Sequence, residues 1–229
     1  MREECKEIVP SVDANLVTSC LNLLEAFLTS ENLDLKKVVS PDKVVMVYLI
    51  FSLIWSLGAN LYDASRKNFH RFLKFKIATL YSDFPEQGEI YDYGIDLTTH
   101  RFIPFMDQVP TFEYNPKKSY FEILVPTTDT VKYRFLLNVL LNAGLNVLIS
   151  GETGVGKSVI TQEFLNTADE ELVSASIGFS GKTTSRNLQD VFESKLEKKR
   201  KTLLGPPGGK KMVFFIDDVN MPQLEKYGA

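Results

Sequence analysis

The sequence has few of the residues on which several classes of protein depend. It contains 2 cysteines, 2 histidines and 1 tryptophan among 229 residues. Two cysteines cannot form the disulfide framework of a small secreted domain, so we expect the reducing cytosol as the compartment. His70 and His100 have no cysteine or second histidine at zinc-ligand spacing. We therefore interpret both histidines as structural.

The sequence also lacks a strong net charge and a long apolar run. Its 26 lysine and arginine residues nearly balance 29 aspartate and glutamate residues, and its pI is about 5.6. This balance gives no sign of non-specific nucleic-acid binding, which requires clustered cations. The most membrane-like stretch, residues 44–57, is shorter than the roughly 20 apolar residues that a spanning helix needs. It is therefore predicted to be a buried core helix.

The first part of the chain, residues 1–80, has helical periodicity. Hydrophobic residues make up 44% of the sequence, enough for a buried core. One helix is predicted over 12–28, and a second begins at Pro41 with Ser40 as its N-cap. A third, over 64–77, has Phe69, Phe72, Leu73 and Ile77 on one side. Three such helices indicate a small bundle or lid. Residues 81–118, interrupted by prolines and glycines, are predicted to form an irregular connection between two domains.

The last part, residues 119–229, alternates strands with helices. Such alternation predicts an α/β fold with a parallel, doubly wound sheet. Residues 172–180 alternate apolar and polar side chains, which is typical of an edge strand. Lys195–Lys201 is read as the solvated end of a helix, with a patch for an anionic partner as the alternative. The predicted strands cover 120–125, 146–150, 172–180 and 212–216, and the predicted helices cover 128–143 (capped by Thr128 or Asp129), 157–166 and 188–196.

A glycine-rich segment carries the strongest chemical signal. Residues 151–158 match the phosphate-loop pattern G-x-x-x-x-G-K-[ST] and lie between a predicted strand and a helix start. The three glycines are expected to adopt positive φ and to let backbone N–H groups approach a phosphate. Lys157 would bridge the β- and γ-phosphates, and Ser158 would coordinate Mg²⁺. The predicted nucleotide-contacting residues are Gly151, Glu152, Thr153, Gly154, Val155, Gly156, Lys157, Ser158 and Val159.

Two acidic residues follow the apolar strand 212–216. Asp217 and Asp218 are placed at the carboxyl end of that strand, where open α/β sheets bind ligands. Asp217 is expected to hold Mg²⁺ through water. Asp218 is expected to orient the attacking water, although its side chain is one methylene shorter than that of glutamate. The catalytic candidates are therefore Asp218 and Lys157, and the metal candidates are Ser158 and Asp217.

Several further segments resemble one family. The phosphate loop together with segments 125–141, 179–185, 205–222 and 225–229 looks like the third AAA+ module of an axonemal dynein heavy chain. Segment 51–59 looks like the lid of the preceding module, so residues 1–80 would be lid-like and residues 119–229 the N-terminal part of the nucleotide-binding domain. The resemblance implies bound ATP and Mg²⁺, with residues 125–127 near the adenine and Asn220 just beyond the acidic pair.

The resemblance also implies a setting. The expected partners are neighbouring AAA+ modules of the same heavy chain and, through the full-length protein, microtubules and other dynein chains, with neither nucleic acid nor membrane. The expected location is the cytoplasm, the cytoskeleton and the axoneme of cilia or flagella. The chain itself has no long heptad pattern that could form a microtubule-binding stalk.

The chain departs from the family pattern in one respect. The family sheet has the strand order 5-1-4-3-2, and the sensor strand that lies between the strands at 146–150 and 212–216 would follow Ala229. We therefore expect an incomplete P-loop NTPase (AAA+) parallel sheet and a fragment that is a weak ATPase or inactive by itself. Two alternatives remain open: a regulatory module that binds nucleotide without hydrolysing it, and another P-loop NTPase or phosphotransferase.

Overall fold

The computed structural model describes residues 4–29, 40–114, 116, 123–168 and 171–223. It divides the chain into two compact units, Met1–Val155 and Gly156–Ala229. Among the described residues, the first unit contains four α-helices and one small antiparallel sheet, and the second contains two α-helices, a parallel strand pair and a hairpin.

The first unit is built around helix α2, Pro41–Leu57. This helix begins where the sequence predicts, with Ser40 at the N-cap position, but the Ser40 side chain makes no capping hydrogen bond. Val47, Tyr48, Phe51 and Ile54 are all at most 1% exposed. The buried core helix predicted for 44–57 is therefore confirmed. No helix in the described part of the chain is both long enough and apolar enough to cross a bilayer.

Helices α1, Asp13–Phe27, and α3, Asp63–Leu80, flank α2 in sequence. The Phe27 ring of α1 stacks on Tyr48 at a centroid distance of 5.0 Å. In α3 the buried side chains follow one another at intervals of four: Ser65, Phe69, Leu73 and Ile77. Phe72 is 54% exposed, so its predicted place on the apolar side is wrong. It lies about one residue, or 100°, away from that strict row.

The segment predicted to be irregular contains ordered structure. Strands β1, Tyr93–Asp96, and β2, Arg101–Pro104, form an antiparallel hairpin between two short 3₁₀ turns. Ile90, Ile95 and Phe105 from this segment are almost completely buried in the core of the first unit. Short apolar groups between prolines and glycines can therefore be core residues, because a hairpin of short strands is stable when it packs against helices.

Both histidines make structural hydrogen bonds in this unit, as predicted. His100 Nδ1 lies 2.7 Å from the hydroxyl of buried Tyr48. His70 Nδ1 accepts a hydrogen bond from the backbone N–H of Ile90 at 3.2 Å. Two tyrosines of the same segment are buried and pack edge-on against other rings: Tyr91 against Trp55 at 5.9 Å, and Tyr93 against Phe84 at 5.9 Å.

His70 should make the stability of the first unit depend on pH. Burial, followed by the charge of Lys74, lowers the pKa of His70 against the opposing charges of Glu89 and Asp92. The bond from Ile90 also requires an unprotonated Nδ1. A lowered native pKa stabilises the fold above the unfolded value of about 6.5, and this stabilisation is lost as pH falls.

The expected result is a loss of stability on acidification that a His70→Gln variant does not share. Because the ring is partly exposed, the difference should stay below about 1 kcal/mol. Urea unfolding of both proteins at pH 7.5 and pH 5 measures it. Equal pH dependence in the two proteins would contradict the account.

The N-cap of helix α4, Thr128–Asn142, lies one residue before Thr128, the first of the two predicted caps. Thr127 is its N-cap, and its hydroxyl accepts from Thr130 N while the Thr130 hydroxyl bonds the N-cap backbone. Neither Thr128 nor Asp129 caps the helix, because a cap must precede the first helical residue. Gly144, with φ of +73°, ends it as predicted.

Two predicted strands are not observed among the residues that the structure describes. Residues 146–150 are not in a strand, and Leu148 is 74% exposed, so the strand predicted there is wrong. Of the predicted strand 120–125, residues 120–122 lie outside the described residues and 123–125 are not in a strand. Apolar sequence favours a strand, but a strand also needs a partner for its backbone hydrogen bonds.

The second unit contains the parallel sheet. Helix α5, Lys157–Thr167, is followed by strand β3, Leu172–Gly178, and β3 pairs in parallel with strand β6, Lys211–Asp217. The predicted strands 172–180 and 212–216 are confirmed in type and in approximate extent. Along β3 the exposed residues Ser174, Ser176 and Gly178 alternate with more buried ones, as the sequence pattern predicts. Among the described strands β6 pairs only with β3.

Between β3 and β6 the chain forms a helix and a hairpin. Helix α6, Ser185–Lys195, places Phe192 edge-on against Phe214 of β6 at 4.5 Å. Strands β4, Glu197–Arg200, and β5, Leu203–Gly205, then pair antiparallel. Reading Lys195–Lys201 as a helix end is therefore wrong. The backbone becomes extended at Leu196, because strand pairing satisfies the backbone groups that a longer helix would have used.

Candidate nucleotide-binding site

The glycines of the phosphate loop have the backbone conformations that the motif predicts. Gly154 has φ of +84° and Gly156 has φ of +88°, values that residues other than glycine rarely adopt. A Cβ on Gly156 would meet nothing closer than Ile160 Cδ1 at 4.0 Å. The glycine is therefore required by its backbone angle and not by a lack of space.

Gly156 places the first turn of α5 at the end of this loop. It is the left-handed N-cap of the helix, and its carbonyl accepts from the N–H of Ile160 at 3.0 Å. The first turn of α5, beginning at Lys157 and Ser158, presents its backbone N–H groups at the N-terminal end of the helix. Together with the helix dipole, such groups form an anion site.

Buried side chains hold this helix in place. Thr161, Phe164 and Leu165 are at most 9% exposed, and the Thr161 hydroxyl donates to the carbonyl of Lys157 at 2.9 Å. Helix α5 packs against β3 and is joined to it by a short connection. A helix that returns across a strand in this way runs antiparallel to it. We therefore expect the first turn of α5 to lie towards the carboxyl edge of β3 and β6.

The acidic pair lies at that carboxyl edge. Asp217 ends β6 opposite Gly178, the last residue of β3, and its carbonyl accepts from the N–H of Phe179 at 3.0 Å. Asp217 Oδ1 accepts from the backbone N–H of Asp218 at 3.1 Å. One oxygen of this carboxylate is therefore fixed by its neighbour, which orients the other oxygen.

Asp218 has an unusual backbone conformation. Its φ is +55°, one of two positive values at residues other than glycine in the described chain, and Met221 N–H closes a turn onto its carbonyl at 2.9 Å. Aspartate tolerates this region better than most residues, at a cost of about 1–2 kcal/mol. Strain of this kind is concentrated at functional sites. The side chain of Asp218 is exposed.

A second turn beside the acidic pair was not predicted as part of the site. Residues 180–183 follow β3, and Thr183 Oγ1 accepts from Ser180 N–H at 2.9 Å. A Cβ on Gly181 would lie 3.9 Å from the carbonyl oxygen of Met221. This turn therefore borders the turn after β6. The sequence contains a signal for it, because small and hydroxyl residues favour turns at the end of a strand.

The oxygen ligands in this unit suit a hydrated magnesium ion. Ser158 offers a hydroxyl and Asp217 a carboxylate, which are the few protein ligands that Mg²⁺ takes when phosphates and water complete its shell. Within the described ranges, no three histidine, cysteine or acidic side chains form a group that could hold a metal by themselves.

Comparison with known proteins identifies the family of this arrangement. Residues 112–229 match the model of the P-loop containing dynein motor region, and residues 1–107 match that of the dynein heavy chain AAA lid domain. The similar proteins include human dynein axonemal heavy chain 6, 38% identical over 239 residues, and the ciliary dynein beta chain of Heliocidaris crassispina, 36% identical over 231 residues.

Both alignments cover 100% of this chain, which spans 6% and 5% of those two relatives. Mouse dynein axonemal heavy chain 1 is 36% identical over 255 residues, again across the whole chain and 6% of the relative. The parallel β3–β6 pair and the glycine loop at the start of α5 agree with the P-loop fold of that family. The chain therefore belongs to the P-loop containing dynein motor region family.

Proposed function

We propose that this chain is an ATP-binding AAA+ module of an axonemal dynein heavy chain, contributing to microtubule-based ciliary movement. One observation carries the proposal: the sequence GETGVGKS leads into α5 through a left-handed Gly156 N-cap, in a chain of the dynein motor family. A glycine-rich loop that leads directly into a helix N-terminus, where the helix dipole favours negative charge, favours a polyphosphate ligand.

The proposed binding set follows from the motif. Loop residues 151–156 and Val159 would surround the phosphates, and the Lys157 ammonium would contact the β- and γ-phosphates. Ser158 and Asp217 would hold the Mg²⁺ that accompanies ATP, and this ion would supply charge neutralisation at the phosphates. Residues 125–127 and Asn220 are proposed to lie near the adenine and beyond the acidic pair, respectively.

Slow hydrolysis is proposed for the same site. Asp218 would accept a hydrogen bond from the attacking water and orient it towards the γ-phosphate. Its shorter side chain and strained backbone support slow turnover. The second candidate is a module that binds nucleotide without turnover. The backbone conformation of Asp218 favours it too, because an exposed aspartate with φ of +55° is an unusual residue for orienting an attacking water.

The larger setting is also proposed. Residues 1–80 would be the lid of the preceding module, 81–118 a connection, and 119–229 the first part of the third nucleotide-binding module. The partners would be neighbouring AAA+ modules of the same chain, with microtubules and other dynein chains reached through the full-length protein. The axoneme of the cilium would be its location, since the relatives are named as axonemal or ciliary dyneins.

Asp218→Asn separates the two candidate functions. Asparagine keeps the size of the side chain and tolerates positive φ, so nucleotide affinity should change less than about threefold. If wild type hydrolyses Mg-ATP, the variant should lose roughly 100-fold or more of that rate, the range of a general base. Phosphate release and equilibrium binding are the two measurements.

The control for this experiment is Asp190→Asn. Asp190 is an exposed aspartate of α6 that pairs with Arg186 at 3.4 Å. This variant should alter neither property. Turnover that is equal in wild type and Asp218→Asn would reject the assigned role of Asp218. Tight binding with no turnover in wild type would establish the regulatory candidate.

A further inference from the structure

The β4–β5 hairpin carries a concentration of positive charge. We define the basic hairpin as residues 195–211, which include β4, β5 and the turn before β6. This segment has seven lysine and arginine residues and one glutamate, a net charge of +6, in a chain whose net charge is −3. All residues from Glu197 to Leu204 are exposed. The positive charge is therefore local and accessible.

Only one of the lysines on β4 is neutralised within the hairpin. Lys199 Nζ lies 3.1 Å from Glu197 Oε2, and a Cβ on Gly205 would be 3.0 Å from Lys199 Cγ. The stem of Lys199 thus lies along the opposite strand, at the bulge between Lys198 and Arg200. Across the residues that the structure describes, Lys198, Arg200 and Lys201 have no acidic partner.

Apolar side chains accompany these three cations. Leu203 and Leu204 of β5 are 53% and 42% exposed, and the strand register pairs Lys198 with Leu204 and Arg200 with Leu203. Paired residues share a face of the hairpin. Each face therefore combines one cation with one leucine. In the described structure this sheet has only two strands, so each strand keeps one edge with unpaired backbone groups.

We propose that the basic hairpin is a docking surface for an acidic polypeptide segment, which adds to it as an extended strand with carboxylates over the cations and apolar side chains over Leu203 and Leu204. An open strand edge offers backbone hydrogen bonds that only another polypeptide can complete. Complementary charge then fixes the partner and its register. This proposal is independent of nucleotide binding.

Other polyanions fit this surface less well. Residues 195–211 contain no aromatic side chain on which a nucleic-acid base could stack. A lipid headgroup could pair with the cations but would leave the strand edges unpaired. A further alternative is protective: lysines on edge strands prevent edge-to-edge aggregation without binding anything. These alternatives are outcomes of the test.

The probe is a fluorescent ten-residue peptide of alternating glutamate and leucine, titrated into the 229-residue protein in 50 mM salt. The test variant carries Lys198→Gln, Arg200→Gln and Lys201→Gln together, and the matched control is Lys199→Gln at the neutralised lysine. We expect saturable binding that weakens about tenfold in the triple variant, since each exposed pair contributes a modest amount. The control should stay within about twofold of wild type, and 200 mM salt should weaken binding.

Hydrogen exchange supplies the second readout, because backbone amides of 197–205 should gain protection when the peptide binds. Circular dichroism must show that both variants keep the wild-type fold. If the triple variant is misfolded, the single change Arg200→Gln replaces it, with an expected two- to threefold loss of peptide affinity.

The proposal would be overturned if the wild-type protein showed no saturable peptide binding, if the triple variant bound the peptide as tightly as wild type, or if the amides of 197–205 gained no protection. Tighter binding of single-stranded dT10 or of phosphatidylserine vesicles than of the peptide would overturn it as well. Aggregation of the triple variant without peptide binding by wild type would assign the lysines a protective role and would also overturn it.

Discussion

Lys157→Ala is expected to weaken ATP binding by roughly 10- to 100-fold, because a hydrogen bond to a charged group contributes about 1.5–3 kcal/mol. Lys157 is the first residue of α5, directly after the left-handed Gly156. Its ammonium is the one mobile cation that the motif assigns to the β- and γ-phosphates. Equilibrium titration with a fluorescent ATP analogue measures the change.

The matched control for this experiment is Lys67→Ala. Lys67 is an exposed lysine on α3 in the other compact unit. Its replacement should leave ATP affinity within about twofold of wild type, since Lys67 lies outside the phosphate-loop motif and an exposed charge is screened by salt. An equal loss in both variants would mean that ATP binds by general electrostatic attraction, and no loss in either would place the phosphates elsewhere.

Phe51→Ala is expected to lower the free energy of unfolding of the first unit by about 3–5 kcal/mol. Phe51 is completely buried in α2. Its ring packs edge-on against Phe27 at 5.4 Å and against Phe135 at 5.6 Å, so its removal leaves a cavity and breaks aromatic contacts from two other helices. Chemical denaturation followed by circular dichroism measures the loss.

Phe72→Ala is the matched comparison at an exposed phenylalanine. It removes the same side chain from a helix of the same unit, but Phe72 is half exposed and contacts the Lys76 ammonium at 6.0 Å. We expect it to cost less than about 1 kcal/mol. Similar losses for the two phenylalanines would show that the described core is not the one that stabilises the protein.

The elements that the sequence predicts well are those whose pattern reflects burial directly. Helix α2 is apolar on nearly every side and is buried. Strand β3 alternates apolar and polar residues in its sequence, and its side chains alternate between more buried and exposed positions. The phosphate loop is also predictable, because positive φ at Gly154 and Gly156 is a property that glycine provides locally. In these cases the information lies within about ten consecutive residues.

The elements that the sequence does not predict depend on pairing with strands elsewhere in the chain or on local preferences that compete with each other. Residues 146–150 have the composition of a strand but no strand pairing in the described structure, whereas β1 and β2 are short yet pair with each other. The lysine-rich β4 favours helix by propensity. Its pairing with β5 overrides that preference, and Gly205 makes room for Lys199 in the hairpin. Propensity alone cannot reveal such pairing.

The candidate site divides in the same way. The motif identifies Lys157, Ser158 and Asp217 by residue type and spacing. It does not reveal that Asp218 N–H holds Asp217 Oδ1, or that Asp218 has positive φ. These features depend on the turn after β6 and its contact with the turn at 180–183. They determine how the carboxylates are presented, which is why the rate of hydrolysis is harder to predict than the ability to bind nucleotide.

The central claim is that residues 151–159 bind the phosphates of ATP. Hydrogen–deuterium exchange of the 229-residue chain, with and without Mg-ATP, tests it most directly, because the proposed contacts are backbone N–H groups. We expect ATP to slow exchange at 151–159 and at the acidic turn 217–218, and to leave the hairpin amides at 197–205 unchanged. Unchanged exchange at 151–159 under saturating Mg-ATP, or protection confined to other segments, would contradict the account.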